Sequence, residues 1–376
     1  MKEKKLRMLT LTGGPHERGL SHGEEMREEI ARHLELWRED LRKDTGMSPD
    51  DYLDKFYAET DFFPAIKQFA PDLLEEVKGI AEGSGQDFRV VLIRQMSDED
   101  PWFRQILKFG RPIMEEHCSS LGAWDQDERP NLIAQNMDTP GYCDGLQLIL
   151  KIKEADSDLE SLVFSVAGKI SLAGMNNRCV GICCNTLLQL NFNTKGLPED
   201  FIVRKTLQQQ DLAHAIGFMN SIPHASGQNY IMGDVSGVVD LECSGSKVVL
   251  CPGNRGQCRL IHTNHPLVND DQSSWKGMIE EGTECNPESV KKILAGMTTE
   301  LRFTALSREV QKEQPIDVKR AVDILSQHEG PVCTHHGDEL YTLGCLIMEL
   351  DPANPRFHIA PGPPCETQFS IFDFDG

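Results

Sequence analysis

The chain has no long apolar run. Nowhere in its 376 residues is there a stretch of the length a membrane-spanning helix needs, so no bilayer-embedded protein is expected. The basic start, Met1-Lys2-Glu3-Lys4-Lys5, is not followed by the apolar core of a secretory signal. Basic residues are scarce as well. The 38 Lys and Arg stand against 59 Asp and Glu, giving a formal charge of -21. That balance disfavours the phosphates of nucleic acid and anionic lipid, and neither is expected as a partner. No CxxC occurs, although there are 12 cysteines. Cys179 and Cys183 fall in a strand-like run without a second pair, and Cys251, Cys258, His262 and His265 match no common zinc spacing. No metal and no organic cofactor is therefore expected. Cysteines without a signal or a metal spacing imply a reducing, cytoplasmic setting, with most thiols acting as small buried hydrophobes. There is no internal repeat and no low-complexity segment.

What is present is a hydrophobic fraction of 39%, enough to bury a core, distributed in two textures. Up to residue 117 the chain reads as mostly helical. Met26, Ile30, Leu34 and Trp37 recur at helical spacing within Gly23 to Lys43, and Leu73, Leu74, Val77 and Ile80 form a second stripe. Pro71 suits that helix's first turn, and Gly83 or Gly85 its stop. Residues 87–116 give further helical segments. From Cys118 onward short runs of β-formers take over. They fall at Leu132–Ala134, Leu146–Ile152, Leu162–Val166, Val180–Cys184, Tyr230–Met232, Val238–Leu241, Val248–Leu250 and Leu260–His262, with a last pair at Thr342–Leu350 and Arg356–Ile359. Helical regions interrupt them at about 199–220 and 287–327. Helices in runs and strands in runs predict an α+β fold rather than alternating βαβ units.

The one sharp change of composition falls at His117-Cys118-Ser119-Ser120. A cysteine opening a strand is, taken alone, most simply a buried thiol. For catalysis a thiol needs a base, because the thiolate is the reactive form. If the bond after His117 is cut, the α-amine of Cys118 supplies that base. Its ordinary pKa is about 8, and it can take the thiol proton and later return it to a leaving amine.

Around this residue the sequence resembles the acyl-coenzyme A:6-aminopenicillanic acid acyltransferase family, a branch of the N-terminal-nucleophile (Ntn) hydrolases. The likeness runs over nearly the whole chain in six ordered blocks. Gly13 to Gly19 with His22-Gly23 is similar to the family's opening motif. Glu75-Glu76-Val77-Lys78-Gly79-Ile80-Ala81-Glu82-Gly83-Ser84-Gly85 is close to its E-E-x-x-G-I-A-x-G-x-G. The nucleophile block has Cys118-Ser119-Ser120 for its Cys-Thr-Ser together with Gln135-Asn136-Met137-Asp138 for its G-Q-N-W-D. Gly174-Met175-Asn176-Asn177 and His262-Thr263-Asn264-His265 follow, and the Leu325-Ser326-x-His328-Glu329 block with Thr342-Leu343 completes the set.

The resemblance implies a four-layer αββα sandwich, split at His117/Cys118 into residues 1–117 and 118–376 that stay interlocked as one domain. It implies that Cys118 is the nucleophile for self-cleavage and for substrate attack. Asp138 would orient the new α-amine, and Asn264 would donate to the oxyanion. Asn136 and Asn176 are candidates for holding the amine or the substrate carbonyl. The expected reaction is cleavage of a small-molecule amide through a thioester, with water or a second amine taking the acyl group. Homo-oligomerisation is left open. Each residue has a plainer alternative: Asp138 as a turn residue before Pro140, Asn264 as a cap before Pro266.

Two departures matter. The bile-salt-hydrolase branch carries Arg where Gln135 stands, which argues against that activity. Asp338-Glu339 occupies the place of a Ser-Arg pair in the penicillin acyltransferase itself, and points to a substrate with a basic portion. A papain-like thiol peptidase, or an unprocessed binding protein on the same fold, are the other classes. An essential histidine, or an intact chain without a reactive Cys118, would distinguish them.

Overall fold

In the computed structural model, which describes residues 4–109, 117–125, 129–253, 258–272, 298–335 and 340–375, the helical texture of the N-terminal part becomes α1 (Pro15–Glu25), α2 (Arg27–Thr45), α3 (Pro49–Glu59), α4 (Phe62–Phe69), α5 (Pro71–Ser84), α6 (Phe88–Ile93) and α7 (Glu99–Phe109). Proline opens α1, α3 and α5, where its missing N–H costs nothing. Gly46 and Gly85 close α2 and α5 in the left-handed region, at φ 70° and 69°.

The strand texture forms two sheets. The first has eight strands, in the order β1 (Arg7–Leu11), β4 (Gln147–Lys153), β5 (Glu160–Val166), β6 (Ala173–Asn176), β7 (Gly181–Thr186), β8 (Gln228–Asp234), β9 (Gly237–Cys243) and β10 (Val248–Leu250). The second has six: β11 (Arg259–His262), β2 (Ser119–Ala123), β3 (Asn131–Pro140), β12 (Leu340–Leu350), β13 (Arg356–Ala360) and β14 (Ser370–Phe372). Neighbours run antiparallel except β1, which lies parallel to β4. The expected helical region at 199–220 is two helices, α8 (Glu199–Thr206) and α9 (Leu212–Ser221). They divide because Asp211 caps α9, its carboxylate accepting from the His214 N–H at 2.8 Å. Of the region expected at 287–327, α10 (Thr299–Val310) and α11 (Val318–Leu325) are described, and residues 287–297 lie outside the described residues.

Side-chain alternation along the strands sorts the apolar residues into three layers. Ile133, Met137, Leu346 and Met348 face Ile149, Phe164 and Ile231 between the sheets. Their chain neighbours Leu132, Ala134, Cys345 and Ile347 turn outward onto Leu306, Ile324 and Leu325 of α10 and α11. On the far side, Leu148, Leu150, Val163 and Tyr230 pack against Trp37, Leu73, Val77 and Phe201 of the N-terminal helices and α8. The architecture is therefore helix, sheet, sheet, helix: an α+β sandwich of four layers, as the resemblance implies.

The N-terminal segment is not only a helical cap. Met8 to Leu11 pair with Ile149 to Ile152, making β1 an edge strand of the larger sheet, where no strand is legible in the sequence. The two glycine-rich blocks have a packing role. A Cβ on Gly19 would stand 1.9 Å from the Glu76 carbonyl oxygen, and one on Gly79 2.2 Å from that of His16. Helices α1 and α5 thus touch backbone to backbone. The buried Arg18 Nε reaches Glu76 at 3.2 Å, and Arg204 of α8 reaches the same carboxylate at 3.0 Å, so two buried guanidiniums share one buried carboxylate.

Candidate active site

Register decides which way the residues around Cys118 point. In the β2–β3 pair Ser119 lies opposite Asn136 and Ser120 opposite Gln135. Ser120 and Gln135 face the larger sheet. Ser120 Oγ donates to Asn185 Oδ1 at 2.9 Å, and Gln135 Nε2 donates to the Cys184 carbonyl. Ser119 and Asn136 face the outer helices. Cys118 is the residue before β2, buried with the apolar layer between the sheets. It lines a cavity of about 520 Å³ together with His117, Met137 and Asp138. The opposite wall comes from α2 and α7, through Asp40, Lys43, Arg104 and Lys108.

The fully buried Arg302 of α10 ties this strand start to the His-Thr-Asn-His segment. Its guanidinium donates to the Cys118 carbonyl, to Ser119 Oγ at 3.2 Å and to Asn264 Oδ1 at 3.0 Å. Asn264 in turn donates from Nδ2 to the Thr186 carbonyl at 3.0 Å, and Thr186 lines the cavity. Asn264 is thus coupled to Cys118 through one cation and stands immediately behind the cavity wall. Asp138 is buried, and its Oδ2 accepts from Thr334 Oγ1 at 2.9 Å.

Acidic side chains cluster where Asp98 and Glu199 line the cavity. Asp98 accepts from Thr186 Oγ1 at 3.0 Å and from Gln228, yet burial pushes its carboxyl up to about 6. Glu99, beside it, is pushed up to about 8 by burial and then by the Asp98 charge. Glu199 lies well above the usual carboxylate range, through burial and then the neighbouring Asp200 and Asp98. Its Oε1 accepts from the Cys184 thiol at 3.0 Å, and burial, then Glu199, pushes that thiol up in turn. Lys169 Nζ, 3.0 Å from Asp200 Oδ2, is the cation in this group. Burial thus favours the protonated, hydrogen-bond-donating form of Glu99 and Glu199.

The residues singled out from sequence therefore part company. Cys118, His117 and Asp138 share the cavity wall, and Asn264 is linked to it. Asn136 and Asn176 do not line it. Asn136 Nδ2 is spent on the Leu325 and Val332 carbonyls, both at 2.8 Å. Asn176 donates to the Leu207 and Gln209 carbonyls and accepts from the Arg178 and Val180 N–H groups. Both fasten loops to sheets. Asp338 and Glu339 lie outside the described residues. Sequence reading passed over Arg302, Glu199, Cys184 and Asp98, since nothing in their local pattern separates them from ordinary helix and strand residues.

His262, given no chemical role from sequence, holds the segment in place. Its Nε2 meets Glu242 Oε1 at 2.9 Å and its Nδ1 the Thr263 carbonyl at 2.7 Å. Burial opposes a charge there, but Asp240 and Glu242 outweigh it and raise the imidazole above its usual value. With Asp240 and Cys251 it forms a cluster of metal-type donors. Both ring nitrogens already face oxygens, so the cluster fits a buried imidazolium rather than a metal ligand.

This αββα sandwich places Cys118 at the head of an inner strand, on the cavity wall, and the family its sequence matches is one of acyl-transferring enzymes. The chain belongs to the acyl-coenzyme A:6-aminopenicillanic acid acyl-transferase family, whose model matches residues 124–332. The matched stretch includes Asp138 and Asn264, and begins just after Cys118. No curated protein matches the chain. Solved structures with low similarity include a Caenorhabditis elegans N-acylethanolamine-hydrolyzing acid amidase ortholog (15% identity, TM-score 0.43, covering 62% of this chain and 93% of that one). Another is a penicillin V acylase from Agrobacterium tumefaciens (13%, 0.43, 68% and 86%). A third is a mutant conjugated bile acid hydrolase from Clostridium perfringens (12%, 0.42, 68% and 97%). Among the described residues no helix is long and apolar enough to cross a membrane, and no two cysteines are disulfide-bonded.

Proposed function

We propose that the chain is a self-processing N-terminal-cysteine amidohydrolase acting on small-molecule amides. The observation that carries the reading is that both sides of the His117–Cys118 peptide bond line one cavity. Cutting that bond would release the new α-amine into the space where substrate binds, within reach of the Asp138 carboxylate on the same wall. Cys118 would pass its thiol proton to the amine and attack the substrate carbonyl. Asn264, whose Nδ2 carries two hydrogens, has one committed to Thr186 and one to offer the developing oxyanion. Arg302 would hold Asn264 in orientation through Oδ1 and brace the Cys118 carbonyl. The ammonium then protonates the leaving amine, and water, activated by the amine, hydrolyses the thioester.

This reading needs no metal or organic cofactor in the reaction, and suits a reducing, cytoplasmic setting. The cavity lining mixes both signs, with Asp40 and Asp44 beside Lys43 and Lys108, so the preference for a basic substrate rests on Asp338 and Glu339 alone. Intact mass of purified protein tests the proposal before any substrate is known. Wild type should give two fragments meeting at 117/118, and Cys118→Ala should remain whole. A wild type that stays whole while turning over an amide would refute the α-amine mechanism.

A further inference from the structure

Four metal-type donors from two segments, the loop after α11 and Cys365, converge away from the cavity. His328 and His335 bring their Nε2 atoms to 2.9 Å of each other. The Cys333 and Cys365 sulfurs stand 3.7 Å apart, and His335 Nε2 lies 3.4 Å from Cys365 Sγ and 4.0 Å from Cys333 Sγ. All four donor atoms lie within 4.8 Å of one another. We propose that these residues bind one zinc ion as a structural Cys2His2 site.

The distances carry the argument. A tetrahedral zinc with bonds of about 2.3 Å to sulfur and about 2.0 Å to nitrogen places its ligand atoms roughly 3.8 Å apart for two sulfurs, about 3.5 Å for sulfur and nitrogen and about 3.3 Å for two nitrogens. The sulfur pair already matches, the two sulfur distances from His335 Nε2 bracket the value, those from His328 Nε2 lie within 4.8 Å, and the nitrogens need open by only a few tenths of an ångström. A disulfide would instead need the sulfurs at about 2.05 Å. Two thiolates and two neutral imidazoles form a set that selects zinc over the oxygen-seeking divalent cations. Binding releases two thiol protons, and two thiolates neutralise the ion's charge, which suits a site partly open to solvent at His328 and closed at Cys333. Glu366 stands at ion-pair distance, 3.8 Å, from His335 Nδ1, the ring nitrogen that faces away from the cluster.

The site would have a consequence for the chemistry. Between Cys333 and His335 lies Thr334, whose hydroxyl donates to Asp138 and whose N–H donates to Thr342 Oγ1 at 3.0 Å. A clip from this loop to Cys365 would fix the residue that holds the Asp138 carboxylate. The spacing hid the site: His328, Cys333 and His335 are close in sequence, but no second cysteine repeats nearby, and Cys365 joins only through the fold.

The test is metal analysis of the full-length chain, purified under reducing conditions and loaded with zinc or cobalt. Wild type should retain one equivalent through gel filtration, and the cobalt form should show thiolate-to-metal charge-transfer bands of a tetrahedral site. Cys365→Ser and His335→Ala should each lose at least about tenfold of the bound metal, while Cys251→Ser, in the other donor cluster, should keep it. The wild-type cobalt spectrum stands even where a variant fails to fold. A folded wild type that holds no metal, a cobalt spectrum without the thiolate bands, metal that survives Cys365→Ser, or a Cys333–Cys365 disulfide in metal-free protein would each overturn the assignment.

Discussion

Two buried residues, one in the proposed chemistry and one beside the cavity residue Asp98, can be measured separately. Asn264 is held by Arg302 and Thr186 on opposite ends of its amide. Asn264→Ala is expected to lower kcat about a hundred- to a thousandfold in a folded protein, the range for removing one oxyanion donor. A change confined to KM would make it a binding residue instead. Glu99 makes the opposite kind of statement, about stability. Its folded carboxyl is raised from 4.5 to about 8, so folding favours the protonated form. That contribution is fully present below the unfolded pKa and is lost as pH rises from about 4.5 through about 8. Each unit of displacement corresponds to roughly 1.4 kcal/mol. Denaturant titrations at several pH values should show wild-type stability falling across this window, and Glu99→Gln should flatten the fall. An identical slope in both proteins would remove Glu99 from the account.

Among the elements, the contact of α1 with α5 is the least tolerant. Gly19 and Gly79 let two backbones meet, and the buried Arg18–Glu76–Arg204 charges lock the contact. The Gly79→Ala methyl would collide with a carbonyl oxygen rather than a movable side chain, so the helices must separate. Overpacking of this kind costs at least about 1–3 kcal/mol, visible as a lowered Tm. His22, one turn after Gly19 on α1, accepts the Gly168 N–H at 3.1 Å and is kept neutral, its pKa lowered to about 4 by burial. Acidification below about pH 6.5 therefore works against this contact, because the unfolded histidine takes a proton that the folded one refuses. An unchanged Tm in Gly79→Ala would mean the helices can shift apart freely.

For the whole molecule, the larger sheet joins the two sides of the proposed cleavage. β1 from the N-terminal segment pairs with β4 of the C-terminal one, and the helices before residue 110 cover that sheet's outer face. If processing occurs, the fragments should co-elute as one species under native conditions and part only in denaturant. Size-exclusion chromatography followed by denaturing gels checks this. Separation of the two in native buffer would contradict the interlocked arrangement.

The sequence by itself determined the layers and marked the residues of the proposed chemistry. Alternating apolar residues specify strands with two buried faces, helical spacing specifies the cover, and the Cys118, Asp138 and Asn264 blocks mark a reading that composition alone could not give. It could not determine partners that meet only across the fold. Arg302 links Cys118 to Asn264 from a helix far along the chain, and Asn136 and Asn176 turn out to be spent on backbone carbonyls. β1 joins its sheet although its strand is short and partly exposed, because pairing with β4 supplies what local pattern does not. Cys365 reaches His328, Cys333 and His335 through chain reversal. Periodicity records which face a residue turns inward. Which donor, charge or carbonyl waits there is set by packing of distant segments, which no local spacing encodes.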